Sequence, residues 1–158
     1  MQRRVRQDPS KNLVGFVVGE VRYAVAISAV REIVNPLACV DLPGASHDVV
    51  GVADYREEVV PVVDMRKRFG LVDVPMTRRT KWIVLDAGSN DRLVAIVVDA
   101  VTGVFRSDEA ALRPAPAVGS GPSVRGIAGV TTYGGALVFV LDVARIADIP
   151  EPRLEGAP

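Results

Sequence analysis

The chain has 158 residues, of which 49% are hydrophobic and 24% are charged. This length suits one ordinary domain or two very small ones, and this composition favours a packed core over disorder. The 19 basic residues balance the 19 acidic residues. No overall charge therefore attracts nucleic acid or an anionic membrane, and any partner must be recognised by a local surface.

Cys39 and His47 are the only cysteine and the only histidine. These counts exclude a disulfide framework and a zinc site made of cysteine and histidine ligands. The sequence contains neither a Gly-rich phosphate-binding loop nor a convincing nucleophile–base pair, so we expect no catalytic, metal or cofactor site. The start of the chain lacks the apolar stretch of a signal peptide, and the longest apolar run, Leu93–Val98, is too short to span a membrane. We therefore expect a soluble, cytoplasmic protein without direct membrane insertion.

Local basic clusters occur at Arg66–Arg68 and at Arg78, Arg79 and Lys81. Binding of single-stranded nucleic acid usually combines such clusters with aromatic side chains that stack on bases. Only 5% of the residues are aromatic. The clusters are therefore interpreted as solvated surface, and no nucleic-acid partner is expected.

Short valine-rich runs, separated by Gly, Pro, Asp and Asn, predict most of the secondary structure. β-Branched side chains pack well on a pleated surface, and the runs are too short for typical helices. Several are joined by turns of hairpin length. The predicted strands, in chain order, are Leu13–Val18, Val21–Ile27, Ala38–Leu42, Val50–Tyr55, Val59–Val63, Lys81–Asp86, Leu93–Val98, Gly103–Phe105, Ile127–Thr132 and Ala136–Val140.

Three short helices are predicted between these strands, at Ser28–Val34, Asp64–Phe69 and Asp142–Ala147. Each begins with a residue that can cap a helix N-terminus. Many short, regularly spaced strands with few helices predict an all-β barrel or sandwich.

Two features refine this fold. Tyr23–Val34 and Leu93–Val104 have similar patterns, which indicates either two similar small barrels or the general likeness of valine-rich hairpins. Pro61 lies inside the strand Val59–Val63 and has no N–H to donate to a sheet. That strand is therefore predicted to lie at an edge or to contain a bulge.

Four stretches of the sequence, taken together, resemble the CheW-like adaptors of bacterial chemotaxis-type signalling. Phe16–Ile33 is similar to the opening of the family, and Leu42–Gly70 is similar to its proline-containing loop and following hairpin. Leu93–Val104 resembles the "V-D-x-V" strand pair, and Leu112–Val118 with Ile127–Ile146 resembles the closing segment. The order of the four stretches is more specific than any one of them.

The resemblance implies two intertwined five-stranded SH3-like β-barrels within a single domain at residues 13–147. Residues 28–80 are expected in the first barrel and residues 81–135 mainly in the second, with the chain ends completing both. Residues 1–12 and 148–158 are expected to be flexible tails.

The same resemblance implies a non-catalytic adaptor that links chemoreceptor cytoplasmic tips to a CheA-type histidine kinase, with other CheW-like proteins as further partners. In the family, one barrel docks the regulatory domain of the kinase, and the groove between barrels takes the receptor hairpin. Glu32 matches the Glu of the family pattern "V-x-E-I", and Arg56 matches the Arg of "N-L-R-G". These two charges are expected to lie together at the working surface. The residues expected to line the apolar groove, or else to belong to the ordinary core, are Val30, Ile33, Val94 and Ala95.

The hairpin around Arg56 departs from the family pattern. Asp54, Tyr55 and Glu57 replace the Asn, Leu and Gly of "N-L-R-G". Because Glu57 lacks the conformational freedom of glycine, the turn is predicted to be reshaped or widened, and the surface to be more acidic. A divergent paralogue that binds receptors or other adaptors but not the kinase is therefore a second hypothesis, and a small-molecule-binding barrel is a third.

Overall fold

The computed structural model describes residues 12–87, 92–106, 112–114 and 126–149, and these contain ten strands and two short α-helices. The strands are β1 (Asn12–Val18), β2 (Val21–Ala26), β3 (Val30–Val34), β4 (Val49–Tyr55), β5 (Glu58–Asp64), β6 (Lys81–Asp86), β7 (Leu93–Val98), β8 (Ala100–Arg106), β9 (Ile127–Tyr133) and β10 (Ala136–Leu141), and the helices are α1 (Met65–Arg68) and α2 (Val143–Ala147).

The strands form two five-stranded sheets that share one plan. One sheet has the order β8-β1-β2-β10-β9 and the other the order β3-β6-β7-β5-β4. In each sheet one pair is parallel, β2 with β10 and β5 with β7, and the other pairs are antiparallel. We refer to the first sheet as the terminal barrel and to the second as the middle barrel. The all-β fold with two similar units is confirmed.

The edge strands of each sheet come into contact, so both sheets curl into barrels. In the terminal barrel the rings of Phe105 on β8 and Tyr133 on β9 stack with centroids 4.3 Å apart. In the middle barrel the hydroxyl of Tyr55 at the end of β4 donates a hydrogen bond to Glu32 on β3 over 2.6 Å. Side chains thus close each barrel where no backbone ladder does.

The expected division of the chain between barrels is wrong. β6 and β7 belong to the same sheet as β3, β4 and β5, so the boundary lies between Val98 and Ala100 and not near residue 81. The reason is that β7 pairs in parallel with β5 on one side and antiparallel with β6 on the other. Both β6 and β7 therefore belong to the sheet that contains β5. Both predicted tails are also too long, because Asn12 begins β1 and Ile149 packs partly buried against the main core. Residues 1–11 and 150–158 lie outside the described residues.

Two predicted elements differ from the structure. Ser28–Val34 is not a helix: residues 27–29 form a single 3-10 turn, and Val30–Val34 is strand β3, paired with β6. A helix of two turns has little stability of its own, whereas β-branched residues gain from pairing in a sheet. Ala38–Leu42 is not a strand, and only Val40 forms a bridge, to Val52 of β4. Gly51 permits this close approach, because a Cβ there would collide with the carbonyl of Val40.

The two α-helices agree with prediction to within one or two residues. Asp64 precedes α1, and its carboxylate accepts a hydrogen bond from the N–H of Arg66 at 2.9 Å. Asp142 precedes α2 and accepts from the N–H of Ala144 at 3.0 Å. Both aspartates satisfy N–H groups that the first helical turn leaves free.

Pro61 has a different explanation from the one predicted. β5 is an interior strand, with β7 on one side and β4 on the other. Its parallel pairing with β7 begins only at Val62, opposite Ala95. Pro61 therefore lies just before that ladder, where its missing N–H removes no hydrogen bond.

A single large core joins the barrels. It contains buried side chains from both sheets and from α2, with Phe16, Ile83, Leu85 and Ile96 among the fully buried ones. Two smaller clusters fill the interior of the middle barrel and of the terminal barrel separately. Neither barrel would bury its larger apolar surface without the other.

Candidate functional site

The β4–β5 hairpin ends in a tight two-residue turn made of Arg56 and Glu57. Both residues have positive φ, 48° for Arg56 and 69° for Glu57, as the favoured hairpin turn with a right-handed twist requires. The turn is therefore neither widened nor reshaped, and that prediction is wrong. Glu57 adopts the left-handed conformation that a glycine would adopt more easily.

Glu32, Tyr55 and Arg56 form one cluster at this hairpin. Arg56 donates from Nε to Oε1 of Glu32 at 2.9 Å and from a terminal nitrogen to Oε2 at 3.0 Å. Tyr55 donates its hydroxyl to the same Oε1 at 2.6 Å, and the Arg56 guanidinium lies 5.6 Å from the centroid of the Tyr55 ring. The two charges expected to lie together do so, and Tyr55 joins them.

The cluster holds Glu32 as a carboxylate. The hydrogen bonds from Tyr55 and then from Arg56 lower the pKa of Glu32 below its usual value. Burial, followed by the hydrogen bond to Glu32, raises the pKa of the Tyr55 phenol. A group with a lowered folded pKa contributes stability above its unfolded pKa, and this contribution is lost as the pH falls through the folded value. The contacts therefore weaken in acid.

Exposure separates the remaining predicted residues. Asp54 and Glu57 are exposed beside the cluster, and Ile33 on β3 is 39% exposed. Val30 is partly buried and packs against the main core. Asp54 and Glu57 therefore make the hairpin end of the middle barrel acidic, as predicted. Of the two apolar residues, only Ile33 is exposed.

Val94 and Ala95 do not line an open surface. Val94 is 1% exposed and Ala95 is 0% exposed. They lie on β7, the central strand of its sheet, where one side chain points into the core between the barrels and the next into the middle barrel. The alternative interpretation of these two residues as ordinary core is the one that the structure supports.

An apolar groove of about 380 Å³, not predicted from the sequence, lies between the middle barrel and the end of α2. Val59 is its most exposed member, at 73%. A signal was present: Val59 and Pro61 alternate with Val60 and Val62, which are buried, so they belong to the opposite face of β5. The apolar residues that line the groove are Leu42, Val52, Val59, Val60, Pro61, Leu93, Ala147 and Ile149.

Replacing Glu57 by glycine is expected to stabilise the protein. The left-handed conformation costs a non-glycine residue about 1–2 kcal/mol, and the freedom that glycine adds to the unfolded chain offsets about 0.4–1 kcal/mol of this. A net gain of roughly 0.5–1 kcal/mol in the free energy of unfolding is expected in urea denaturation. Glu58→Gly is the matched control, because Glu58 lies in extended strand β5 and its replacement should destabilise. Equal effects of the two substitutions would contradict this interpretation of the turn.

Within the part of the chain that the structure describes, no three potential metal ligands come together. None of the described helices has the length and apolar character needed to cross a bilayer.

Comparison with known proteins identifies the family. The family model described as "CheW-like domain" matches residues 12–151. The chain is 29% identical over 147 residues to chemotaxis protein CheW of Rhizobium meliloti, covering 93% of this chain and 92% of that protein. It is also 29% identical over 103 residues to chemotaxis protein CheW of Helicobacter pylori, covering 65% of this chain and 61% of that protein.

The fold is likewise similar to that of a solved structure, the scaffolding protein TtCheW from Thermoanaerobacter tengcongensis. The TM-score is 0.75 at 23% identity, over 84% of this chain and 88% of that one. The family model spans the whole described fold, including the hairpin with Arg56 and the strand with Glu32. The chain therefore belongs to the CheW-like family, a family of non-catalytic adaptors in chemotaxis signalling.

Proposed function

We propose that this protein couples the cytoplasmic tip of a chemoreceptor to a CheA-type histidine kinase, and that it is recruited from the cytoplasm to receptor arrays. The cluster of Glu32, Tyr55 and Arg56 is the observation that carries the proposal. The Arg56 side chain is 70% exposed, yet two hydrogen bonds to Glu32 hold its guanidinium in one orientation. An exposed charge that is already ordered loses little conformational entropy when it binds.

The hairpin end of the middle barrel is assigned to the kinase. Arg56 presents its remaining donors to a partner, and planar guanidinium groups favour bidentate contacts with carboxylates. The tight turn supports this assignment over a paralogue that no longer binds a kinase, because Glu57 leaves the backbone in the conformation expected for glycine.

The apolar groove that contains Val59 is assigned to the receptor. A helical hairpin presents apolar side chains along one face, and such side chains insert into apolar grooves. Pro61 and Ile149 supply rigid and branched apolar surface on opposite sides of this groove.

The test is reconstitution of the purified protein with a receptor signalling fragment and a CheA-type kinase. We expect one complex that contains all three. Val59→Asp should weaken binding of the receptor fragment by about tenfold or more, since it places a charge in an apolar contact, and it should leave kinase binding unchanged. Leu137→Asp is the matched control, because Leu137 is 55% exposed on β10 of the other barrel.

Each alternative outcome has a definite meaning. Binding to neither partner contradicts the coupling function. Binding to the receptor fragment without the kinase supports the divergent paralogue instead.

A further inference from the structure

The interior of the terminal barrel is only partly filled. A cavity of about 230 Å³ is lined by residues from all five strands of this barrel. Small barrels normally fill their interior with side chains, and protein interiors contain few voids larger than a water molecule. The cavity is therefore a departure from ordinary packing, and the residues that create it can be identified.

The common plan of the two barrels allows their interior positions to be compared. Val62 and Val140 each lie two residues before the aspartate that caps the following helix, so they hold equivalent places. Val62 pairs in parallel with Ala95, and Val140 pairs in parallel with Ala24. The two alanines are therefore equivalent as well.

Two interior positions next to these alanines differ between the barrels. Opposite the alanine of the middle barrel lies Val84, whereas opposite the alanine of the terminal barrel lies Gly15. Two residues before the alanine, the middle barrel has Leu93 and the terminal barrel has Arg22. Val84 and Leu93 are both buried. The terminal barrel thus has a glycine and a cation where the middle barrel has two buried apolar side chains.

Arg22 belongs to the interior face of β2. Side chains two residues apart on a strand point to the same face, and Ala24 packs in the cluster inside the terminal barrel. Val138, which pairs with Arg22, belongs to the same cluster. No carboxylate within the part of the chain that the structure describes forms an ion pair with Arg22. Arg22 is exposed, and so it offers its guanidinium to an anion at the mouth of the cavity.

A β-bulge adds a hydroxyl group to the cavity wall. In the pairing of β1 with β8, Gly15 lies opposite Gly103 but Phe16 lies opposite Val101. Thr102 is therefore the extra residue of a bulge, a feature that redirects side chains and is common next to active sites. A Cβ at Gly15 would come within 2.6 Å of Oγ1 of Thr102. The hydroxyl thus lies over the glycine, beside the open space.

The rest of the wall is largely apolar and aromatic. Phe105 and Val138 pack in the interior cluster, and the ring of Tyr133 stacks on that of Phe105. A dry cavity of about 150 Å³ is large enough to hold a benzene ring. The larger volume of this cavity, about 230 Å³, leaves room for one ring with a short substituent.

We infer that the cavity of the terminal barrel binds a small aromatic carboxylate with a single ring. The ring lies against Phe105 and Val138. The carboxylate meets Arg22, whose planar guanidinium matches two carboxylate oxygens, and accepts a hydrogen bond from the hydroxyl of Thr102. Sites for small ligands combine an apolar lining with a few polar groups in this way. The inference does not depend on binding of a receptor or a kinase.

Isothermal titration calorimetry of the full chain with phenylacetate tests the inference. We expect saturable binding of one molecule per chain with a Kd of about 1 mM or tighter, which a ligand of this size can reach. Phenylacetamide has the ring without the charge, and acetate has the charge without the ring. Each should bind about tenfold more weakly or less, because each lacks one of the two contacts.

Two arginine variants locate the site. Arg22→Gln should weaken phenylacetate binding about tenfold or more, since it removes the cation at the mouth. Arg106→Gln is the matched control and should leave the affinity unchanged, because Arg106 is an exposed arginine at the end of β8 that does not line the cavity. Val138→Phe should abolish binding, because the larger ring occupies the space. Circular dichroism checks that each variant is folded, and the two exposed arginines decide the test even if Val138→Phe does not fold.

Three results would overturn the inference. The wild-type protein could show no saturable binding of phenylacetate. It could bind phenylacetamide as tightly as phenylacetate, which would mean that the cavity does not recognise the charge. Finally, Arg22→Gln and Arg106→Gln could weaken binding equally, which would indicate a general attraction of anions to the surface.

Discussion

Phe16→Ala is expected to lower the free energy of unfolding by about 3–5 kcal/mol, as truncation of buried aromatic residues usually does. Phe16 is 0% exposed on β1, and its ring stacks with that of Tyr23 at a centroid distance of 5.9 Å. It belongs to the core that both barrels share. Since the total stability of a domain is about 5–15 kcal/mol, this substitution removes a large part of it.

The more informative result is the shape of the unfolding transition. Because Phe16 contributes to a core made by both sheets, the two barrels should unfold together, in one denaturant transition at a lower midpoint. Far-ultraviolet circular dichroism and fluorescence of Trp82, which lies inside the middle barrel, should report the same midpoint. Val104→Ala is the control, because Val104 lies at 59% exposure on β8 of the same barrel and its loss should change the midpoint little. Two separate transitions, with Trp82 unaffected, would show that the barrels are independent.

Glu32→Arg and Arg56→Glu should each reduce kinase affinity by about tenfold or more. Each substitution places two like charges side by side on the surface proposed to contact the kinase, where the wild-type protein presents an ordered ion pair. Their effects on stability should be small. The Arg56 side chain is 70% accessible and the Glu32 side chain 34%, and ion pairs that water reaches contribute little to folding.

The double variant distinguishes recognition from structure. Glu32→Arg combined with Arg56→Glu restores opposite charges within the cluster but inverts them toward a partner. We expect stability to return to the wild-type value while kinase binding, measured by isothermal titration calorimetry, stays weak. Recovery of binding together with stability would assign the pair a structural role only. Arg31→Glu is a control charge change on the same strand, outside the cluster.

The strand positions were predictable from the sequence because they depend on local composition. Every predicted strand except Ala38–Leu42 is present, and Asp64 and Asp142 cap the helices as expected. Ser28–Val34 failed for a non-local reason. Its apolar spacing suits a helix, but β3 gains its stability from pairing with β6, which lies about fifty residues further along the chain.

The candidate site was predictable only in part. Glu32 and Arg56 were found through the family pattern, whereas Tyr55 was noted only as a departure from it. For Val94 and Ala95 the sequence left groove and core both open, because a continuous apolar run does not tell which of its faces is covered. The groove around Val59 was missed because α2, which forms its other side, is distant in sequence.

The sequence by itself determined an all-β chain with Asp-capped helices and a hairpin that carries an exposed charge, since turns, caps and strands depend on residues within a few positions of one another. Only the tertiary structure decided that Glu32 meets Tyr55 and Arg56. These residues lie on opposite edges of the middle barrel's sheet, and they come together because the sheet curls until its edges touch.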